Sequence, residues 1–466
     1  MVDKPKEACG LFGIYAPGED VSRITFFGLF ALQHRGQESA GIAASDGRGI
    51  RAHTDMGLVA QVFDEDSLGK LSGDLAIGHT RYSTTGSSRI ANAQPTLVNG
   101  PWGELATGHN GNIINAQELR AELEDRGIEF KGSTDSEVMA HWLGQAPGST
   151  WPERIRYCMN RFQGAYSMVM MTKDQLIGVR DPMGVRPLSL GKLNGGWVIA
   201  SESAALDHIG SDVIREVEPG EAVIIDKDGV TSHKLVEKDS HSLCIFEHIY
   251  FARPDSIVGG KLLYSARQRM GAQLAREHPV DADMVMGVPD SAVAAGIGYA
   301  KESGIPLGEA ILKNRYVGRT FIQPDQRIRE LGVRLKFNAM PEVLRGKRVV
   351  VVDDSIVRGT TTPHVVNLLK KNGATEVHMR ICAPPIRHPC FFGVDLATRG
   401  ELLAAQKSVE EIRQFIGADS LGYLSVAGLV EAVGLPNNEM CTACFTGKYP
   451  IPVQLEMDKL AMEPSR

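Results

Sequence analysis

The densest run of chemistry-bearing residues is Asp353-Asp354-Ser355-Ile356-Val357-Arg358-Gly359-Thr360-Thr361, directly after the apolar run Val349–Val352. Small hydroxyl residues and a glycine between a strand and a helix favour an anion, because backbone N–H groups and the helix dipole both face such a loop. Two adjacent carboxylates would repel a bare phosphate, so they call for sugar hydroxyls or Mg²⁺ as a further partner. Carboxylates for a ribose and a loop for its phosphate describe a phosphoribosyl site. An ordinary capped turn explains the hydroxyls but not the acid pair.

That run resembles the ribose-phosphate loop of the type I phosphoribosyltransferases. The resemblance implies that Asp353, Asp354, Ser355, Arg358, Gly359, Thr360 and Thr361 bind phosphoribosyl pyrophosphate. Upstream, Asp283–Ser291 reads as a strand ending in a tight loop, where that family has its pyrophosphate loop. Ser291 then contacts the pyrophosphate or joins Asp353 and Asp354 as a contact for one Mg²⁺ per subunit. The segment Lys313–Ile322 is basic and aromatic with no buried pattern. On its residues alone it is a solvated loop. In the family it is a lid, with Lys313, Arg315, Tyr316 and Arg319 closing over the substrate and helping to form an ammonia channel.

A second constellation begins at Cys9, in Cys9-Gly10-Leu11-Phe12-Gly13-Ile14-Tyr15. Taken alone, a thiol opening an apolar strand is a small core residue. The segment resembles the mature N-terminus of the class II glutamine amidotransferases, which are N-terminal-nucleophile hydrolases. This implies removal of Met1–Ala8, so that Cys9 is the nucleophile and its own α-amino group, with a pKa of about 8, the base. Loss of the initiator Met alone cannot expose Cys9. Further motifs follow in family order. Gln33–Gly41 matches an early loop, and Gly78–Ser83 carries Arg81 for the glutamine α-carboxylate. Gly108–Asn112 carries the Asn110 side chain and the Gly111 N–H for the oxyanion. Thr134–Glu137 carries Asp135 for the α-amino group. A Cys–His dyad using His34, His79 or His109 is the competing reading, but the family uses the terminal amine.

The third constellation is Cys441-Thr442-Ala443-Cys444, with Cys244 and Cys390 upstream. On the residues alone, a Cys-x-x-Cys pair is a redox couple, half of a zinc site or chance, and four thiolates suit zinc and iron–sulfur equally. One branch of the family resembled combines a propeptide with a [4Fe–4S] cluster. That implies Cys244, Cys390, Cys441 and Cys444 as its ligands. Cys158 and Cys382 sit in apolar segments and read as core thiols.

These residues need elements to position them. Four β-branched residues, Val349–Val352, read as a buried strand of a parallel sheet, and Val365, Val366, Leu368 and Leu369 as the apolar face of a helix. In the first half, short apolar strands at Ser167–Met171, Trp197–Ser201 and Ala222–Ile225 alternate with Gly and Pro punctuation. The resemblance implies a propeptide over residues 1–8 and an αββα amidotransferase sandwich over 9–235, with Lys234–Ser242 as linker. It further implies a phosphoribosyltransferase domain with a helix-flanked parallel sheet over 245–400. A C-terminal block over 401–466 would hold helices at Glu401–Gln406, Val409–Ile416 and Val426–Val433 and a cluster-binding tail.

Composition sets the outer bounds. The 466 residues, 43% apolar with 50 glycines, fit a soluble α/β protein of two or three domains. A net charge of −6 argues against a nucleic-acid surface and leaves no membrane patch. No apolar run approaches the ~18 residues that span a bilayer, and the polar start is not a secretory signal. Seven cysteines without such a signal point to a reducing cytoplasm. Both motif sets on one chain resemble the glutamine phosphoribosylpyrophosphate amidotransferases. The resemblance implies conversion of glutamine, phosphoribosyl pyrophosphate and water to phosphoribosylamine, glutamate and pyrophosphate, opening de novo purine synthesis. It also implies inhibition by purine nucleotides and a tetramer. Two alternatives are a nucleobase phosphoribosyltransferase with a silent first half and an iron–sulfur regulatory protein that senses nucleotides. Intact Arg81, Asn110, Gly111 and Asp135 oppose the first, and the Asp353–Asp354 pair opposes the second.

Overall fold

The computed structural model describes residues 9–83, 85–238, 240–314, 337–394, 396, 398–453 and 462–463. The first half stacks two antiparallel sheets. One has seven strands, with Gly10–Tyr15 at its centre between Gly196–Ala200 and Leu75–Arg81. The other has six, with Gly103–Ile113 beside Gly164–Met171. Side chains alternate across each strand, as pleating requires. Leu11 meets Val169 and Leu176 between the sheets, whereas Phe12 and Ile14 face the helix Val21–Ala31 outside. An added Cβ on Gly13 would lie 2.5 Å from Val169 Cγ1 and 2.8 Å from Leu176 Cδ1, so a side chain there would force the two sheets to shift. Helices Ala116–Glu124, Asp135–Gln145 and Trp151–Met159 cover the other outer face. The layering is the expected αββα sandwich.

The second half is built on a four-stranded sheet ordered Met284–Gly287, Arg348–Asp353, Glu376–Ile381 and Ser420–Tyr423, every pair parallel. The valine run divides by parity between the two faces. Val350 and Val352 pack with Met270, Leu274 and Tyr299 of the helices Leu263–Glu277 and Val293–Ser303. Val349 and Val351 pack with Val365, Leu369 and Ile412 of Thr362–Lys371 and Val409–Ile416. All four are fully buried, and each contributes about 1.5–3 kcal/mol of apolar burial. A strand with both faces covered shows this continuous, non-alternating composition.

Beyond residue 400 the structure departs from the expected helices in two places. Glu401–Gln406 is not one helix. A 3₁₀ turn at Arg399–Glu401 and a single turn at Leu403–Gln406 flank the extended Leu402, because the Leu403 N–H bonds to Val357 O at 2.9 Å. A strand, Ser420–Tyr423, also lies between the two helices Val409–Ile416 and Val426–Val433 and completes the parallel sheet. The segment Leu243–Cys244 pairs in parallel with Met440–Cys441, tying the start of the second half to the C-terminal region.

Candidate active sites

The strand Gly10–Tyr15 pairs with Leu75–Arg81 in the register Gly10↔Thr80, which sets Cys9 beside Arg81 and Tyr82. Cys9 Sγ lies 3.4 Å from both the N–H and the carbonyl oxygen of Tyr82. Burial pushes the thiol above its ordinary value, opposed by the Tyr82 backbone and the Arg81 charge. Cys9, Arg81, Thr85, His109, Gly111 and Asp135 line one narrow cleft. The Arg81 guanidinium is buried and donates to the carbonyls of Thr85 and Ser87, both at 3.2 Å. Asp135 opens the helix Asp135–Gln145, where its charge suits the positive end of the dipole, and accepts from the Ile113 N–H at 3.1 Å.

Asn110 does not line the cleft as drawn. By strand parity it shares the inter-sheet face of Ala106 and Gly108, the face that packs on Leu11 and so on the Cys9 side of its strand. Its amide is fully buried, with neither Nδ2 nor Oδ1 hydrogen-bonded. A buried, unpartnered amide beside a nucleophile is expensive unless it serves a transient partner.

The three histidines have other tasks. His34 Nε2 lies 2.7 Å from Glu202, and His79 Nε2 lies 3.1 Å from the His109 carbonyl. His109 Nδ1 lies 3.0 Å from Ser136 Oγ. Burial lowers His79 to about 3 and lowers His109 as well, so both are neutral. Each of the three is thus held by a group other than the Cys9 thiol.

Several residues around this cleft were not assigned a role from the sequence. Arg35 was visible within an early-loop motif, and its Nε donates to the Cys9 carbonyl at 3.1 Å. Gln94 Oε1 accepts from the His109 N–H at 2.8 Å. Glu463, in a tail with no pattern of its own, accepts from Ser87 N–H at 2.8 Å and Ser133 Oγ at 2.6 Å. Glu463 thereby bridges the segments that carry Ser87 and Ser133.

In the second half the strand Arg348–Asp353 delivers Asp353 and Asp354 to the loop before the helix Thr362–Lys371. Asp354 accepts from Ser355 Oγ at 2.8 Å and from Ser291 Oγ at 2.5 Å, so Ser291 meets the acid pair across 63 residues of sequence. All four side chains except Ser291 are buried, and Tyr250 stands close enough for both acids, after burial itself, to raise its hydroxyl. Gly359 takes φ +70, and an added Cβ would lie 2.6 Å from Leu403 Cδ2, so a glycine is required there. Arg358 pairs with Glu401 at 3.2 Å, and Lys313 pairs with Asp290. The expected lid residues Arg315, Tyr316 and Arg319 lie outside the described residues, as does the expected propeptide Met1–Ala8.

The four distant cysteines come together. Cys244 and Cys441 are partners in the parallel ladder Leu243–Cys244 with Met440–Cys441. The Cys444 carbonyl accepts from the N–H groups of Arg387 and His388, both at 3.0 Å, which brings the loop leading to Cys390 alongside. Burial first, and then the neighbouring sulfurs, push Cys441 up to about 12 and raise Cys444. Burial pushes Cys244 up to about 11, against the buried Arg186 cation. Thiols this close and this buried stay protonated unless a cation joins them. Among the described residues no three His, Cys, Asp or Glu side chains are grouped closely enough to hold a metal ion. Cys158 lies in an apolar core of the first half, whereas Cys382 shares the core that contains Cys244 and Cys444.

Comparisons with known proteins agree with this two-site geometry. A family model described as "Glutamine amidotransferase domain" matches residues 79–208, and one described as "Phosphoribosyl transferase domain" matches residues 256–385. A relative named amidophosphoribosyltransferase from Synechococcus elongatus is 52% identical, over 99% of this chain and 95% of its own length. One of the same name from Bacillus subtilis is 49% identical, over 95% and 94%. The solved B. subtilis glutamine phosphoribosylpyrophosphate amidotransferase, complexed with ADP and GMP, superposes with a TM-score of 0.91 at 48% identity, covering 97% of this chain and 99% of its own. The chain belongs to the amidophosphoribosyltransferase family.

Proposed function

We propose that this chain opens de novo purine synthesis by converting glutamine, phosphoribosyl pyrophosphate and water to phosphoribosylamine, glutamate and pyrophosphate. The observation that carries this is the presence of both half-sites on one chain: a thiol between Arg81 and Asp135, and an acid pair joined to Ser291 beside a hydroxyl loop. Residues 1–8 are removed, and residues 9–235 form the amidotransferase domain. Residues 245–400, completed by the strand Ser420–Tyr423, form the transferase domain, and 401–466 form the C-terminal block that supplies that strand.

Arg81 binds the glutamine α-carboxylate and Asp135 the α-ammonium group, which leaves the side-chain amide facing Cys9. The Cys9 thiol is raised, so it holds its proton at neutral pH and needs a base as it attacks. Its own α-amino group, freed by processing, takes that proton. The Gly111 N–H and Asn110 Nδ2 receive the oxyanion, a role that gives Asn110 the partner it otherwise lacks. Ammonia leaves, and water hydrolyses the thioester to glutamate.

At the second site Ser355, Gly359, Thr360 and Thr361 cradle the 5′-phosphate, Arg358 adds charge, and the acid pair faces the ribose. Ammonia bonds to ribose C1 as pyrophosphate departs. The hydroxyl of Ser291 and the carboxylates of Asp353 and Asp354 are hard oxygen donors brought together by the fold, and they fit one Mg²⁺. Bound there, the ion neutralises charge on the leaving pyrophosphate. Lys313, Arg315, Tyr316 and Arg319 close over the site as a lid and keep water out.

Cys244, Cys390, Cys441 and Cys444 hold a [4Fe–4S] cluster, supported by their gathering into one buried region beside Arg186. The cluster supplies a structural tie between the chain's middle and its C-terminal region. Purine nucleotides inhibit by occupying the ribose-phosphate loop, a reading supported by the ADP and GMP of the B. subtilis structure. The enzyme works in the cytoplasm as a tetramer. Among the described residues no helix is long and apolar enough to cross a membrane.

The reading is tested with Cys9→Ala, purified without oxygen. Loss of pyrophosphate release with glutamine but retention with ammonia supports two separate sites. Retained activity with glutamine overturns the role of Cys9.

A further inference from the structure

The turn Phe391–Gly393, immediately after Cys390, presses on the strand that carries Asn110 and Gly111. Gly393 takes φ +90, and an added Cβ would lie 2.6 Å from the Gly111 carbonyl carbon and 2.7 Å from its Cα. On its other side Gly111 abuts the Ala165 backbone, so its peptide is held between two walls. Asn112, the next residue, bridges outward in both directions. Its Nδ2 donates to the Phe391 carbonyl at 3.0 Å, and its Oδ1 accepts from Thr85 Oγ1 at 2.6 Å. Thr85 lines the glutamine cleft, and its carbonyl accepts from Arg81 at 3.2 Å. The turn is itself pinned. Arg186 Nη2 donates to the Phe392 carbonyl at 2.9 Å, and Arg186 pairs with Glu247 at 3.2 Å, all fully buried.

We propose that the Phe391–Gly393 turn is the rear wall of the glutamine site, with Gly393 and Asn112 as positioning residues for glutamine hydrolysis. Gly393 fixes the Gly111 peptide, and Asn112 fixes the Thr85 segment on which Arg81 rests. The inference builds on the assignment of Gly111 as an oxyanion donor. Oxyanion stabilisation depends on donors already in place, so a small displacement of Gly111 acts on the transition state. A displacement of Thr85 acts instead on substrate binding through Arg81. The ammonia-dependent reaction at the other site stands apart from this wall.

The test compares Gly393→Ala and Asn112→Ala with wild type as iron-loaded, processed protein. Glutamine kcat and KM, ammonia-dependent pyrophosphate release and iron content are measured together. Gly393→Ala is expected to lower glutamine kcat about tenfold or more, part of the ~10²–10³ that follows loss of a whole oxyanion donor. Its glutamine KM, ammonia-dependent rate and iron content should stay near wild type. Asn112→Ala is expected to raise glutamine KM several-fold, again sparing the ammonia reaction, and it decides the matter if Gly393→Ala does not fold. Equal loss of the glutamine and ammonia activities in both variants, or no loss in either, overturns the proposal. A Cys9→Ala control that still used glutamine would overturn the site assignment itself. A control dead with glutamine, beside two variants that behave as wild type, removes only the role of the turn.

Discussion

Arg35 and Glu247, 212 residues apart and from different halves of the chain, form a fully buried ion pair, with Arg35 Nη2 donating to Glu247 Oε1 at 2.8 Å. The same guanidinium holds the Cys9 carbonyl through Nε at 3.1 Å and also pairs with Glu202. Glu247 in turn pairs with Arg186. Burial alone would raise the Glu202 carboxyl, but His34 and Arg35 overcome it and hold it well below the usual range. Glu247→Ala would leave the buried Arg186 guanidinium without a carboxylate and Arg35 with only Glu202. We expect a loss of about 3–5 kcal/mol in unfolding free energy, as for other half-removed buried pairs. Urea titration checks this, and a change under about 1 kcal/mol would mean the network behaves like a surface pair.

Gly359→Ala tests the ribose-phosphate loop. The residue must adopt φ +70 and displace Leu403, so the loop shifts or strains by about 1 kcal/mol or more. The phosphoribosyl pyrophosphate KM should rise at least several-fold. Glutamine hydrolysis at saturating phosphoribosyl pyrophosphate, at a cleft in the other half of the chain, should keep its rate. Equal damage to both would argue that the loop does not hold substrate.

Acid should weaken the fold through histidines buried without charge. Burial lowers His79 to about 3 and His248 to about 4, against about 6.5 in an unfolded chain. With folded values depressed, the stability they contribute is present above about pH 6.5 and is lost as pH falls toward the folded values. At pH 5.5 each should have lost about 1 kcal/mol. Urea midpoints at pH 7.5 and 5.5 report this, and His79→Asn should remove its share of the difference. A variant with an unaltered pH dependence would place the cause elsewhere.

The four-thiol site predicts a shared fate for its members. Cys441→Ser and Cys390→Ser should each abolish bound iron and the associated visible absorbance, while Cys158→Ser keeps both, because Cys158 lies in a separate core. Zinc in place of iron and sulfide, measured by elemental analysis, would keep the ligands but change the metal.

The contiguous parts of this molecule were legible in its sequence, because a short motif carries its own geometry. The valine run Val349–Val352 announces a covered strand, and the hydroxyls after Asp353–Asp354 announce what the strand delivers. Arg81, Gly111 and Asp135 could be placed by motif, and the fold brings them to one cleft with Cys9. What stayed hidden depends on partners far apart in the chain. Nothing around Arg35 names Glu247, nothing in Phe391-Phe392-Gly393 names Gly111, and Glu463 sits in a tail without periodicity. Ser420–Tyr423 escaped notice because a four-residue strand between two strong helices has too little pattern of its own. Glu401–Gln406 read as a helix because its composition allows one, whereas the bond from Leu403 N–H to Val357 O breaks it.

The most direct measurement of the central claim counts glutamate and pyrophosphate together, from processed protein handled without oxygen and supplied with glutamine and Mg²⁺. The account predicts equal release of both, dependent on added phosphoribosyl pyrophosphate. Glutamate released without pyrophosphate when every substrate is present would contradict it, leaving a glutaminase joined to a silent second site.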